Sequence, residues 1–235
     1  MFRQDYIMRI IKVFVNALVK LMRLRREQNH EAARQMIEQT WEEIFGLPTS
    51  SIMALSERTL LSMLLKQDTQ TIDTALMVAW LFKENGALSI AEQKEKEGFS
   101  LYLKALNYYL EIAVDPTVSD EGFRWINEDI IASNLVTDPH DSIEELIGLL
   151  EGHILPLSTM TLLFRYYERY GTFAKAEDML FHMLNDYPEA TDIKTSGLQF
   201  FERLLTREDG VLETGGLPRN EVEEGLEQLK ASVRA

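Results

Sequence analysis

Apolar residues recur at three- and four-residue spacing along almost the whole chain, which is the period of an amphipathic α-helix. The first segment shows this most clearly, because polar and basic residues fill the face opposite its apolar stripe. The stripe consists of Ile7, Ile11, Phe14, Leu18 and Leu21. Alternation with a period of two, which is typical of β-strands, is almost absent. The pattern therefore predicts an all-α fold.

Helix caps and helix breakers divide this pattern into about nine to eleven helices. Asn29 is predicted to cap a helix over residues 30–45, because its side chain can accept hydrogen bonds from the first free N–H groups. Gly46 and Pro48 are predicted to end that helix, which pairs with the first one as a hairpin. The other helices are predicted over residues 56–67, 71–84, 89–115, 120–131, 142–150, 158–170, 173–187, 192–207 and 219–233.

Glycine-containing segments are predicted to interrupt the helices at three places. Asn85-Gly86 ends the helix that begins at residue 71, and Gly210–Gly216 forms a loop. Gly98 is a candidate kink, since glycine weakens a helix interior by roughly 1 kcal/mol relative to alanine. Because the connections are short throughout, the 235 residues are predicted to form a single helical-repeat domain, 1–235, with 115–141 as the best candidate for a sub-boundary.

Five residues follow one another at the spacing of a known helical repeat. They are Gly171, Phe173, Ala176, Leu180 and Pro188. This order, with a turn glycine, an aromatic, a small residue, a large apolar residue and a final proline, resembles the second half of a tetratricopeptide repeat. The first half departs from the repeat at Phe164, where a small residue is usual, and segments 30–41 and 104–116 match only in fragments. The resemblance implies antiparallel helical hairpins stacked in a short right-handed superhelix.

The opening residues Met1–Ile11, the total length and the predicted hairpins together resemble an uncharacterised bacterial family, found mainly in Firmicutes. Its members are tetratricopeptide-like helical proteins. The resemblance implies a helical-repeat fold with no known activity, so that no functional residue is carried over from it.

The net charge of −14 argues against a nucleic-acid partner, because most of the surface would repel a polyanion. The charge is unevenly spread, since residues 1–26 contain seven basic residues and one acidic residue, a balance of +6 that leaves −20 for the remainder. Such a basic amphipathic helix can dock on its own chain, lie on an anionic membrane surface or bind a partner. Docking within the chain is favoured, because a globular domain routinely buries an apolar stripe of this kind.

The chain contains no cysteine, which excludes disulfides and thiolate chemistry and fits a reducing compartment, so a cytoplasmic location is predicted. The longest segments without a charged residue, 44–56 and 152–164, are too short to span a membrane and contain proline. The apolar N-terminal segment is interrupted by lysines and is not followed by a small-residue cleavage site. It is therefore not interpreted as a signal peptide.

The sequence contains only weak candidates for catalytic or metal-binding sites. Glu27 and His30 have the Glu-x-x-His spacing of di-iron bundles, which need two such motifs, but only one is present and it lies at a predicted turn. Asp138, His140 and Asp141 combine acids with an imidazole, as metal and acid–base sites do, yet the same residues are typical of a helix start. No phosphate-binding loop or nucleophile elbow occurs. The sequence therefore predicts no enzyme activity, no cofactor and no metal.

The favoured function is a non-enzymatic scaffold or adaptor that binds a protein or peptide, because stacked hairpins present a concave surface. The predicted binding residues are Thr161, Arg165, Glu168 and Arg169. The two arginines lie four apart and could hold a carboxylate, or could pair with Glu168 or a neighbouring helix. The alternatives are membrane association or self-assembly through residues 1–26, and an enzyme whose site joins His140 or His153 to distant carboxylates. A homo-oligomer is compatible with each of these functions.

Overall fold

The structure, a computed structural model, describes the backbone of residues 2–64 and 71–234 and the side chains of residues 8–62 and 72–231. All regular structure in these residues is helical, and the helices pack in neighbouring pairs. This confirms the predicted all-α class. The chain divides into two compact units, Met1–His153 and Ile154–Ala235. This division lies C-terminal to segment 115–141, and the single domain 1–235 stays a prediction.

The described residues of the first unit form eight α-helices. They are α1 (Phe2–Arg26), α2 (His30–Phe45), α3 (Thr49–Ala54), α4 (Glu57–Leu64), α5 (Thr71–Ala91), α6 (Glu95–Val114), α7 (Glu128–Ala132) and α8 (Pro139–Leu149). The predicted end of α4 near Gln67 lies outside the described residues. Helices α1 with α2 and α5 with α6 are the main pairs, and both pairs contribute to one core.

The apolar stripe of α1 is buried in the core of the first unit. Phe14 is fully buried, with the ring of Trp80 edge-on at 5.3 Å and the ring of Trp125 stacked at 6.0 Å. Ile7 lies outside the described side chains. The predicted internal docking is therefore confirmed for the described part of the stripe. Insertion of this face into a membrane would require it to leave the core, and membrane association through 1–26 stays a prediction.

The predicted boundaries of α2 are confirmed by its caps. The Asn29 side chain accepts a hydrogen bond from the Ala32 N–H at 3.2 Å, and α2 begins at the next residue, His30. Gly46 adopts a left-handed conformation with φ of +66° and donates its N–H to the Glu42 carbonyl at 2.7 Å. These local interactions satisfy backbone groups that the helix ends leave free, so the sequence alone is sufficient to place them.

The predicted stop at Asn85-Gly86 is wrong, because α5 continues to Ala91 and α6 begins only at Glu95. Gly86 faces α6, where an added Cβ would lie 2.7 Å from Cδ1 of Tyr102 and 3.1 Å from the carbonyl oxygen of Gly98. Gly98 lies inside α6 against α5, where an added Cβ would lie 2.5 Å from Cδ1 of Ile90, and a kink at this residue stays a prediction. The two glycines allow α5 and α6 to approach closely, and this contact outweighs their weak helix propensity.

The predicted helix over 120–131 is also wrong. A short 3-10 turn, Asp120–Gly122, is followed by extended backbone before the short helix α7. The buried Asp73 of α5 accepts hydrogen bonds from the N–H groups of Ile126 and Asn127 at 2.8 and 3.0 Å. These N–H groups are therefore satisfied from another helix and need no helical partner of their own. Burial raises the pKa of Asp73, while these two hydrogen bonds act in the opposite direction.

The described residues of the second unit form five α-helices. They are α9 (Leu157–Arg169), α10 (Phe173–Asp186), α11 (Thr191–Leu205), α12 (Asp209–Thr214) and α13 (Arg219–Arg234). The predicted loop Gly210–Gly216 is wrong in part, because it contains α12. With this helix and the other single-turn helices α3 and α7, the described residues form thirteen helices instead of nine to eleven. None of the helices in residues 2–64 and 71–234 combines the length and the apolar character needed to span a bilayer.

Candidate functional site

The residues with repeat-like spacing lie where the sequence predicted them. Gly171 forms the turn between α9 and α10 with φ of +73°, a conformation that residues with a side chain rarely adopt. Phe173, Ala176 and Leu180 are buried on one face of α10, and Pro188 follows the end of that helix. Helices α9 and α10 are therefore neighbours joined by a turn at Gly171, while the likeness to a tetratricopeptide repeat stays a prediction.

The predicted binding residues on α9 have different surroundings. Glu168 accepts two hydrogen bonds from Arg203 of α11, at 2.7 and 2.9 Å, which is the pairing with a neighbouring helix that the sequence left open. Arg165 is exposed, and the guanidinium of Arg169 lies 5.9 Å from the ring centroid of Tyr170. The Thr161 hydroxyl donates to the Leu157 carbonyl at 2.8 Å. Partner binding by this face stays a prediction.

The Glu27–His30 spacing does not produce a metal site in the described structure. Glu27 accepts a hydrogen bond from Arg23 at 2.8 Å, and His30 begins α2 on the other side of the turn. Across residues 2–64 and 71–234, no group of three or more histidine and carboxylate side chains is arranged to hold a metal ion.

The two histidines that would mark an enzyme site are placed against aromatic rings. His140 meets Phe123 edge-on at 5.0 Å, and the ring of His153 lies 3.9 Å from that of Phe99. Asp138 caps α8 by accepting the His140 N–H at 2.8 Å, as its position before Pro139 predicted. The hydrogen bond of Asp138 shows that residues 138–140 start α8.

A cavity of about 450 Å³ in the first unit brings together side chains from five helices. Its polar lining includes Arg34 of α2, Thr49 of α3, Glu57 of α4, Asn85 of α5, and Glu97 and Lys104 of α6. We call this cavity the polar groove. Its volume is within the range of small-molecule binding sites, which is about 300–1,000 Å³.

Two residues that line the polar groove each have a buried side-chain oxygen atom without a hydrogen-bond partner in the described residues. Asn85 is only 5% exposed, and its Oδ1 has no hydrogen-bond partner within the described part of the chain. The same holds for Oγ1 of Thr49. A buried polar atom of this kind is uncommon and costs about 1–3 kcal/mol if it stays unsatisfied.

At one end of the groove Lys104 lies beside the C-terminal end of α3. Its Nζ donates to the carbonyl oxygens of Met53 and Leu55 at 3.1 and 2.7 Å, so that it satisfies groups that a helix end leaves free. Glu57 lies 4.0 Å away, which is too far for a hydrogen bond. The ammonium group of Lys104 also lies 5.5 Å from the ring centroid of Phe82, which is within the range of a cation–π contact.

At the other end, Arg34 is held mainly by Glu92. The guanidinium donates two hydrogen bonds to this carboxylate, at 2.7 and 3.3 Å, and they lower the pKa of Glu92. Lys94 also binds Glu92, at 2.7 Å. Glu97 is more loosely held, 3.7 Å from Arg34, with a hydrogen bond from Ser89 at 3.2 Å and a half-exposed side chain. Glu97 is therefore the carboxylate with free capacity here.

The described lining of the groove combines charged, polar and apolar side chains. Its described lining contains no histidine or cysteine, so Thr49 and Ser100 have no imidazole there to activate their hydroxyls. Charges of both signs and unsatisfied acceptors can instead hold a polar ligand. The sequence did contain a signal for this site, because Lys83, Glu84 and Asn85 interrupt the most apolar helix and all three are buried. The dipeptide Asn85-Gly86, however, is typical of a turn, so the sequence alone predicts a helix end there.

The model of a family of unknown function, DUF6483, matches residues 1–234. The chain belongs to this family. No curated protein and no solved structure matches the chain. Membership of DUF6483 confirms the predicted resemblance to an uncharacterised family, while the bacterial source stays a prediction.

Proposed function

We propose that this DUF6483 chain is a non-enzymatic binding protein that holds a peptide in the polar groove of its first unit. The observation that carries the proposal is a cavity of about 450 Å³ whose lining combines two cations and two carboxylates with the polar side chains of Thr49, Asn85 and Asn107. Peptide N–H groups are hydrogen-bond donors that every protein segment provides. A peptide can therefore form hydrogen bonds with a polar lining of this kind whatever its side chains are.

The charges of the groove support a polar peptide over an anionic or purely apolar ligand. Two cations, Arg34 and Lys104, face two carboxylates, Glu57 and Glu97, so the lining has no net excess of either sign. A polyanion would meet both carboxylates, and an apolar ligand would leave the charged groups desolvated without partners. A peptide offers donors and acceptors together and suits such a lining.

The proposal includes a tetratricopeptide-like arrangement of the helices in a short right-handed superhelix. The left-handed turn at Gly171 and the buried Ala176 support it, since they give one hairpin the build of that repeat. A cytoplasmic location belongs to the same proposal, because a chain without cysteine suits a reducing compartment.

The experiment is affinity selection from a random tripeptide library, read by mass spectrometry, with the full chain and two variants. Asn85→Leu removes the acceptor while keeping a side chain of similar size, and Asn185→Leu makes the same change at an exposed site on α10. We expect the wild type and Asn185→Leu to enrich the same peptides and Asn85→Leu to enrich none of them. Equal enrichment by all three proteins, or no enrichment by the wild type, refutes the proposal.

A further inference from the structure

The outward side of α1 is positively charged along most of its described length. Its exposed positions recur at spacings of three and four residues, which places them on one side of the helix. They are Arg9, Lys12, Asn16, Lys20 and Arg23, and we call them the basic face of α1. No acidic residue occurs between Met8 and Arg26 in the sequence, so no carboxylate of α1 itself interrupts this face.

The packing of α1 holds the basic face towards solvent. On the opposite side of the helix Phe14, Leu18 and Leu21 are at most 1% exposed. Because a rotation of α1 would bring these apolar side chains into water, the orientation of the helix is fixed. Arg23 pairs with Glu27 at 2.8 Å, but this pair lies at the surface and contributes little to stability.

Helix α13 of the second unit presents the opposite charge. Its apolar side is buried at Val222 and Leu229. Its exposed side carries Glu223, Glu224 and Glu227, which we call the acidic face of α13. Glutamates three and four positions apart are neighbours on a helix surface, so their charges act together.

A second copy of the chain supplies the charge that each face lacks. Two copies with a net charge of −14 repel each other at long range. At physiological ionic strength, however, the Debye length of about 8 Å limits the interaction to charges near the contact. There the cations of α1 and the carboxylates of α13 can form charge-assisted hydrogen bonds. Val19, which is 55% exposed on α1, adds apolar surface to this contact.

An anionic lipid surface is the other partner that a basic helix of this kind could bind. The apolar stripe that would insert into the lipid is buried in the core, so that binding would depend on charge alone. The chain outside residues 1–26 carries a balance of −20 and would be repelled by the same surface. These observations favour the acidic face of a second copy.

We infer that the chain associates with a second copy of itself, with the basic face of α1 in one copy against the acidic face of α13 in the other. Because each copy carries both faces, the contact is head-to-tail and can repeat. One helix face is smaller than the about 800 Å² per partner of a standard interface, so the association is reversible and sensitive to salt. It is independent of the polar groove.

Sedimentation velocity of the full chain over a range of concentrations tests the inference. We expect complexes larger than a monomer at about 0.15 M salt and their dissociation at about 1 M salt, where the Debye length is about 3 Å. The α1 variant is Lys12→Glu with Lys20→Glu, and the α13 variant is Glu223→Lys with Glu227→Lys. Each should weaken association about ten- to a hundred-fold, since two attractions become repulsions.

Combining the two variants identifies the partners in the contact. An equimolar mixture of the α1 variant and the α13 variant should associate again, because the unchanged α13 of one meets the unchanged α1 of the other. A chain with all four substitutions should also associate with itself, because its two faces have exchanged charges and remain complementary. Circular dichroism of each variant checks that its helices are intact.

Two control variants make the same changes of charge at other exposed positions. Lys96→Glu with Arg124→Glu matches the α1 variant in net charge. Glu31→Lys with Glu38→Lys, both on α2, matches the α13 variant. We expect both controls to associate like the wild type, because neither changes the basic face or the acidic face.

Three results would overturn the inference. A wild type that stays monomeric at every concentration refutes it, and cosedimentation of this monomer, but not of the α1 variant, with vesicles of phosphatidylserine and phosphatidylcholine would assign the basic face to lipid. Equal losses in the control variants would mean that net charge, and no particular face, governs association. A mixture of the α1 and α13 variants that stays monomeric refutes α13 as the partner of α1.

Discussion

Replacing Gly86 by alanine tests whether the close approach of α5 and α6 determines the path of the chain. On helix propensity alone, alanine would stabilise the interior of α5 by about 1 kcal/mol. In the structure, however, the new Cβ would lie 2.7 Å from the ring of Tyr102 and 3.1 Å from the Gly98 carbonyl oxygen. Tyr102 is only 6% exposed, so its ring has little space into which it can move.

Overpacking of this kind costs about 1–3 kcal/mol, which exceeds the gain from propensity. We therefore expect Gly86→Ala to lower the free energy of unfolding of the first unit by about 1 kcal/mol in net terms. In a thermal melt of a chain of this size that corresponds to a decrease in Tm of about 2–4 °C. Urea denaturation followed by circular dichroism would measure the change in the free energy of unfolding. Calorimetry would separate the transitions of the two units.

The matched control is Gly148→Ala in α8. This glycine is exposed, and an added Cβ would meet no atom within 4 Å. At this site the substitution changes helix propensity without overpacking, so we expect a small gain in stability, up to about 1 kcal/mol. The two substitutions are chemically identical and should have opposite signs. If Gly86→Ala stabilises the protein as Gly148→Ala does, the close contact between α5 and α6 is refuted.

Three further predictions concern a helix cap, a buried carboxyl group and a pair of arginines. Asn29→Ala removes the cap of α2 and should lower the free energy of unfolding, measured by urea denaturation, by about 1 kcal/mol. An unchanged free energy of unfolding would mean that the cap is dispensable. Burial, aided by the charges of Asp178 and Glu221, raises the pKa of Glu177 from 4.5 to about 7. Since the folded state then binds this proton more tightly, the stability of the second unit should fall as the pH rises from about 4.5 to about 7. Glu177→Gln should remove this fall in urea midpoints measured across that range, and an unchanged pH dependence would contradict the shift. Alanine at both Arg165 and Arg169 should weaken binding of any protein partner that uses α9, measured by titration, and unchanged affinity would discard that surface.

Local interactions explain why part of this fold could be predicted from the sequence. Asn29 and Gly46 bind backbone groups within four residues of themselves, so the ends of α2 depend on no other part of the chain. The apolar spacing of α1 likewise identifies the face that is buried, because helical geometry alone places Phe14 and Leu18 on one side. The turn at Gly171 follows from the same kind of local requirement.

Other features depend on residues that are distant in sequence. The backbone at Ile126 and Asn127 is not helical, and Asp73, more than fifty residues earlier, accepts hydrogen bonds from both N–H groups. The groove side chains Arg34, Asn85 and Lys104 lie on three different helices, and no spacing within the sequence relates them. Their positions depend on how the helices pack.

The sequence by itself determined the helical class, the caps of α2, the buried face of α1 and the α9–α10 turn, since each depends on interactions between residues a few positions apart. Only the tertiary structure decided that α5 runs through Asn85-Gly86 and that Asn85 lines a cavity. The physical reason is that a local preference of about 1 kcal/mol for ending or weakening a helix is smaller than the packing free energy gained when two helices meet at their glycines.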